Sequence, residues 1–493
     1  MKTSLRQRKD ITDANQINKM KTSNKITYPE RHIWEPMPSL QSRIGLGKKQ
    51  RVKSPRESHD TMPAKKGRTD PVQLLIGSNT NRLEQLVPIR YGRMLSSPFA
   101  FLRGSALVMA EDLSNIPNSG IFVQCCGDCH LMNFGGYATP ERNQVFDIND
   151  FDETLSAPFE WDVKRLAASI VVAGRYKEFP DKDSKKAAFE AVMSYTRKIR
   201  EISMMRQLEA WYNRIDEQAV INMFMNDREL VKRVKIISEK AKQRTHEFVF
   251  PKISAFENGK MRILDDPPLI FHPSDTEKRI ESAVEFFNEY FHSISDDKKA
   301  LLGRYRLEDV AMKVVGVGSV GTRCFIGLFA ASANDAIILQ FKQAYPSVLE
   351  KYTGRSKYKN HGERVVNGQH LMQTVSDIFL GWTTTNDGYD VYVRQLRDMK
   401  TSANIDHFTP KILKEYASLC GWALAKSHAK AGKAPEITGY IGTKEIFADA
   451  ISRFAVQYAD QTEGDFALLK KAERTKRIKV QYEGEKAKIE IAG

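Results

Sequence analysis

The chain has 493 residues, 41% of them hydrophobic and 10% aromatic, which supplies apolar material for two or three packed domains and excludes a chain disordered throughout. Its formal net charge of +15 is uneven: residues 1–70 hold seventeen Lys or Arg against seven Asp or Glu, so ten of the excess charges sit in that arm and the basic balance does not by itself mark a nucleic-acid-binding body. Five cysteines in so long a chain argue against a disulfide scaffold, and with no secretory signal and no apolar run near the ~20 residues of a spanning helix, a cytoplasmic location is expected.

Residues 1–70 are polar and punctuated by Pro36, Pro38, Pro55 and Pro63 without a sustained period, the pattern of a mostly disordered arm. Such an arm could hold an acidic partner or RNA, although Tyr28 and Trp34 are its only aromatics. From Val72 the spacing of Leu74, Leu75, Leu83 and Leu86 predicts helix, followed by Arg90, Arg93 and then Arg103-Gly104 ahead of a further helix. These arginines can meet phosphate or pair with acids downstream, and the sequence leaves both open.

Residues 125–162 carry the densest chemistry. Asp128 and Asn133 lie five apart in GDCHLMNF, on a loop bounded by Gly127 and Gly135-Gly136, so a carboxylate and an amide can face one pocket. The strand-like run Val145-Phe146-Asp147-Ile148 then leads into Asn149-Asp150-Phe151-Asp152-Glu153, where four acids in seven residues repel one another unless a cation or buried donors compensate. Cys125, Cys126 and Cys129 cluster nearby, but Cys324 and Cys420 stand alone, so buried thiols are favoured over a zinc site.

Asp-x-x-x-x-Asn followed by a strand ending in Asp-Phe resembles the catalytic loop and metal-binding aspartate of the protein-kinase-like superfamily in its aminoglycoside-phosphotransferase style, with Cys126 at the usual histidine. The resemblance implies Asp128 as catalytic base and Asn133 and Asp150 as magnesium ligands, with Asp152 and Asp147 as rivals. It also implies that Asp162, in PFEWDVKRLAAS, braces the catalytic loop from a helix. The wording SPFAFLRG, CGDCHLMNFG, FDINDFDET, EWDVKRLAAS, RVVNGQHLMQ and YADQTEGDF is similar, over roughly residues 70–465, to the bacterial family named domain of unknown function 2252, whose name gives no substrate.

Residues 163–301 read as helix-rich, with His246, His272 and His292 at no common spacing. The period then changes to strand, glycine turn, strand, turn, strand. Gly316, Gly318 and Gly321, with Ser319 between them, form a Gly-x-Gly-x-x-Gly that alone is weak; the strand-like residues after it favour the phosphate-covering hairpin of kinases over a dinucleotide fold. Lys342, on the third strand, stands where a kinase keeps its phosphate-contacting lysine. Glu363, on the following helix, is the preferred ion-pair partner and Glu350 the alternative. A strand after Asn386-Asp387-Gly388 would reach a hinge where adenine meets backbone near Gln395 to Arg397, and further helices close the chain.

The expected fold is α+β, a kinase-like two-lobed architecture in which the catalytic loop precedes the glycine loop, implying a circular permutation. The expected organisation is a basic arm (1–70), a helix-rich lobe with the catalytic loop (71–300), a β-rich nucleotide-binding lobe (301–400) and C-terminal helices on the helical lobe (401–493). The expected activity is transfer of phosphate from ATP with Mg2+ to an unknown small-molecule or protein acceptor. Transfer of the nucleotide group, and a non-catalytic nucleotide-sensing or scaffold role, are the alternatives.

Overall fold

The computed structural model describes residues 37–243, 253–257, 260–273, 285–314, 316–332, 334–396 and 399–482. The arm expected to be disordered includes a folded element, because Leu40–Lys53 is a helix (α1) capped by Ser39, whose hydroxyl accepts from Ser42 N–H at 3.2 Å. It crosses Ala434–Ile441 through two glycines: a Cβ on Gly47 would fall 1.8 Å from the Glu436 carbonyl oxygen, and one on Gly439 2.0 Å from that of Ile44. Arg43 pairs with Glu436 at 3.0 Å and Arg51 donates to the Tyr440 carbonyl at 2.7 Å. Backbone approach and arginines, not an apolar stripe, hold this helix, and so no period marks it in the sequence. Residues 1–36, which include Tyr28 and Trp34, lie outside the described residues.

Short helices follow: Pro71–Gly77 (α2) and Pro98–Gly104 (α4), capped by Asp70 and Ser97, with Val87–Met94 (α3) and Ala106–Ser114 (α5). Phe122–Cys125 (β1) pairs with Leu155–Pro158, and between them Phe134–Ala138 (β2) and Gln144–Ile148 (β3) form the expected hairpin. Leu155–Pro158 (β4) runs directly into Phe159–Tyr176 (α6), which is buried almost from end to end. A helix buried on every side belongs at the centre of a helical block, and this one buries Glu160, Asp162, Lys164 and Arg165 among its apolar residues. Asp181–Ser203 (α7) packs along it.

The second block is an antiparallel sheet. Ser254–Glu257 (β5) and Lys260–Ile263 (β6) pair as a hairpin, and Ile270–Phe271 (β7) begins the sheet. Arg306–Lys313 (β8), Cys324–Ser332 (β9) and Asp335–Gln343 (β10) continue it; His361–Met372 (α8) intervenes; Gly381–Thr384 (β11) and Asp390–Gln395 (β12) complete it. The spatial order is β11-β12-β10-β9-β8-β7. Along β10, Ile337, Leu339 and Phe341 pack on one core with Phe329 and Tyr290, while Ala336 and Ile338 pack on another with Met261 and Ile263, the period of two that a sheet buried on both faces requires. The second face then turns polar at Gln340 and Lys342, where the sheet reaches the helical block. Met261, Ile263, Ile270, Tyr290 and Ile294, all before the expected boundary at 300, join the sheet cores. Residues 274–284, within the stretch expected to be helix-rich, lie outside the described residues.

Thr401–Ser402 (β13) adds to β2, and the chain ends in Pro410–Lys430 (α9), Ala434–Ile441 (α10) and Ile446–Arg474 (α11), packed on α6 and α7. The whole is a mixed α+β fold. Among the described residues, no helix is long and apolar enough to cross a membrane.

Candidate active site

The loop between β1 and β2 is shaped by Gly127, which has φ of +84° and whose Cβ, if present, would lie 2.1 Å from the Glu153 carbonyl oxygen. A side chain there would meet both backbone strain and a clash. Asp162, on the first turn of α6, accepts from the N–H groups of Cys126 at 2.8 Å and Gly127 at 3.1 Å, with His428 Nε2 at 3.3 Å. One helical turn on, Arg165 holds Asp128 through its Nε at 2.8 Å and its Nη2 at 2.7 Å, both to Oδ1. The side chain of Asn133 donates to the Asp128 carbonyl at 2.5 Å, which leaves its amide oxygen available as a ligand. Burial raises the Asp128 carboxyl against the opposing pull of Arg165, and its Oδ2 carries no hydrogen bond among the described residues. Asp162→Asn should lower stability by about 1–3 kcal/mol, because an amide cannot accept at both oxygens and sets an N–H against a buried backbone N–H. Denaturant melts of the two proteins measure the difference; an unchanged midpoint would remove Asp162 from this role.

The acids of the following stretch separate in space. Asp147 is fully buried against Lys426 and Ser427 and lies away from the cleft, which removes it as a rival metal ligand. Asp150 lines the cleft, accepts only from Asp152 N–H at 3.2 Å and has no ion pair among the described residues. Asp152 is paired with Lys342 and also accepts from Tyr392 Oη at 2.7 Å and Ser319 Oγ at 3.1 Å. Burial alone would raise its carboxyl, but the Lys342 ammonium overrides this and holds it below the usual range. Burial pushes the Glu153 carboxyl up to about 7, although it accepts from Val348 N–H at 2.7 Å.

Lys342 therefore does not pair with Glu363. Glu363 lies toward the start of α8, where Lys357 acts on its charge, and Glu350 faces His361 at 3.7 Å. The link from α8 to the acidic stretch is made instead by its neighbour Arg364, which donates to the carbonyls of Thr154 at 2.7 Å and Asp152 at 2.8 Å. Gly316, Gly318 and Ser319 line the cleft; Gly321 does not, and sits in the turn into β9 with φ of +87°. Gln395 also lies off the cleft, and its N–H donates to Asp377, so that amide is not free for a base; Arg397 is outside the described residues.

Sequence reasoning missed Arg165, Tyr392, Arg394 and Arg82. Arg165 was legible as the residue one turn beyond Asp162 on one helix face. Tyr392 and Arg394 sit two apart on β12 opposite Lys342 and Gln340, a cross-strand register no local pattern reveals. Arg394 donates to Gln340 at 2.9 Å and lines the cleft. Arg82 donates to the carbonyls of Val320 and, at 2.9 Å, Gly318, tying the glycine turn to the helical block. Arg90 and Arg103 line the same cleft, which encloses about 170 Å³; Arg93 is not among its lining residues. Cys125, Cys126 and Cys129 gather around Asp162 and His428. Burial raises all three thiols and Asp162 is engaged by backbone N–H groups, which describes a hydrogen-bonded core better than a ligand set.

No curated protein and no solved structure matches the chain. A family model matches residues 82–472, a span that holds the Asp128 loop, the acidic stretch, the sheet with Lys342 and most of α11. By that match the chain belongs to the bacterial family described as uncharacterized protein conserved in bacteria (DUF2252).

Proposed function

We propose that the chain is a magnesium- and ATP-dependent phosphotransferase of protein-kinase-like architecture whose two halves occur in permuted order. The observation that carries this reading is the ion pair of Lys342 with Asp152, 190 residues apart, closed by Tyr392 and the glycine-turn Ser319. It draws a glycine turn, a strand lysine and an acidic loop around one cleft, the parts that phosphoryl transfer by positioning and charge neutralisation needs. The strand sequence β8, glycine turn, β9, β10 with lysine, α8, β11, β12 supports it further.

The donors present fit the implied groups. The amide oxygen of Asn133 and the carboxylate of Asp150 are hard oxygen ligands in one cleft, suited to Mg2+. Lys342, Arg394 and the turn at Gly316–Ser319 would hold the phosphates. Bound Mg2+ would neutralise charge on the transferred phosphoryl group. Asp128 Oδ2 would accept the proton of the incoming hydroxyl while Arg165 fixes its orientation through Oδ1, and Asp162 holds the loop backbone beneath it.

Magnesium-ATP should raise the melting temperature, by the equivalent of about 2.7 kcal/mol at a hundredfold excess over Kd. Lys342→Ala should lose most of that increment while remaining folded. No increment at millimolar nucleotide would sink the proposal. Identifying the released product as ADP or pyrophosphate separates phosphoryl from nucleotidyl transfer.

A further inference from the structure

Three arginines from the segment before the Asp128 loop, Arg82, Arg90 and Arg103, line the cleft, and Arg103 is the one on which Asp128 acts. The other cations of the cleft have acidic company, Lys342 paired with Asp152 and Arg394 beside Asp150 and Asp152. These three have none within ion-pair distance among the described residues.

Arg90 is 2% exposed, and its guanidinium is held by neutral groups alone: Ser78 Oγ at 3.0 Å, the Asn79 side-chain oxygen, and the carbonyls of Gly104 at 3.3 Å and Leu75 at 3.5 Å. Its Nε is buried without a partner. Burial and the neighbouring Arg82 both disfavour its charge, the reverse of what a counter-ion would do. The Arg103 side chain makes no hydrogen bond or ion pair among the described residues, and its Nε is likewise buried and unpartnered. Asp128 is the one carboxylate that acts on it, and Oδ1 of that group already belongs to Arg165. Ala106 and Leu107, at the start of the nine-residue α5, complete the wall, where first-turn N–H groups lack helical partners. Uncompensated buried cations are costly to keep, and guanidinium forks match oxyanions.

We propose that Arg90 and Arg103, with the start of α5, bind a phosphate-type oxyanion carried by the acceptor, which makes that acceptor a small anionic molecule instead of a protein side chain. Charge for the donor phosphates is already supplied on the sheet side by Lys342 and Arg394, whereas Arg103 faces Asp128, the proton acceptor for the incoming hydroxyl. Arg82 ties the glycine turn to the wall of the cleft, whose volume of about 170 Å³ suits a small molecule. Only the word acceptor rests on the phosphotransferase reading; the anion site stands on the arginines.

The test uses the full chain and inorganic phosphate as the probe, in thermal melts at constant ionic strength balanced with chloride, alone and in saturating magnesium with a non-hydrolysable ATP analogue. Phosphate should stabilise the protein both alone and on top of the analogue. Arg103→Gln, which breaks no hydrogen bond, should weaken phosphate at least tenfold without changing the analogue's own increment, and Arg103→Lys should recover part of the loss. No phosphate effect beyond chloride, or an equal effect in Arg103→Gln, overturns the site. Phosphate binding abolished by the analogue overturns the acceptor assignment, because the arginines would then serve the donor. If the analogue itself gives no increment while phosphate binds through Arg103, the anion site holds and the nucleotide reading fails by itself.

Discussion

Asp128→Asn should lower product formation from magnesium-ATP by about 10²–10⁴-fold, the span that a positioned general base contributes. The increment in melting temperature given by magnesium-ATP, taken relative to the variant's own melt, should survive. The separation follows from the geometry. Asp128 spends Oδ1 on Arg165 and keeps Oδ2 clear, so in the proposed mechanism it would take a proton from the second substrate and add little to holding the first. Some stability will be lost, because Arg165 is buried and exchanges a carboxylate for an amide. Comparing each protein with and without ligand removes that contribution. Product formation can be followed as ADP release to water before any acceptor is known. If Asp128→Asn lost the nucleotide increment as fully as a metal-ligand variant, Asp128 would be a ligand and the base would have to be sought elsewhere.

What the sequence made legible was local. The Asp128–Asn133 loop, the acidic stretch and the helix-borne Asp162 are contiguous motifs, and the chemistry of five- and three-residue spacings survives into the cleft. The change to a strand period was equally plain, and Lys342 falls where it was expected, on the third strand of that run and the second after the glycine turn. Partners were harder. Lys342 was matched by helix order to Glu363, yet the acid it meets comes from a loop 190 residues earlier, brought there by the docking of sheet on helical block. Choosing among Asp147, Asp150 and Asp152 failed in the sequence for the same reason: their neighbours Lys426 and Tyr392 lie 279 and 240 residues away. The first helix escaped notice because its contacts are glycine crossings and arginine-to-carbonyl bonds, which leave no hydrophobic period.

Asp150→Asn is expected to remove nucleotide binding and turnover together. Asp150 is the cleft acid without an ion pair among the described residues, which leaves its carboxylate free to take an ion alongside Asn133. Metal stabilisation of transition-state charge is worth several kcal/mol, so the rate should fall on the order of 10³-fold or more. The magnesium-ATP increment in melting temperature should shrink with it, since Asp150 and Asn133 would be the residues holding the ion. In the absence of ligand, however, Asp150→Asn should melt close to the wild-type temperature, because relief of repulsion from Asp128 and Asp152 is set against lost attraction to Arg394 and Lys342. Asp152→Asn should behave differently. It strips the counter-ion from Lys342, whose side chain is 4% exposed, and so should cost about 3 kcal/mol before any ligand is added. Calorimetric titration of magnesium-ATP beside ligand-free melts for both variants decides between them. Nucleotide binding kept by Asp150→Asn and lost by Asp152→Asn, at temperatures where both are folded, would transfer the metal role to Asp152 and leave Lys342 to exchange its carboxylate for the phosphates on binding.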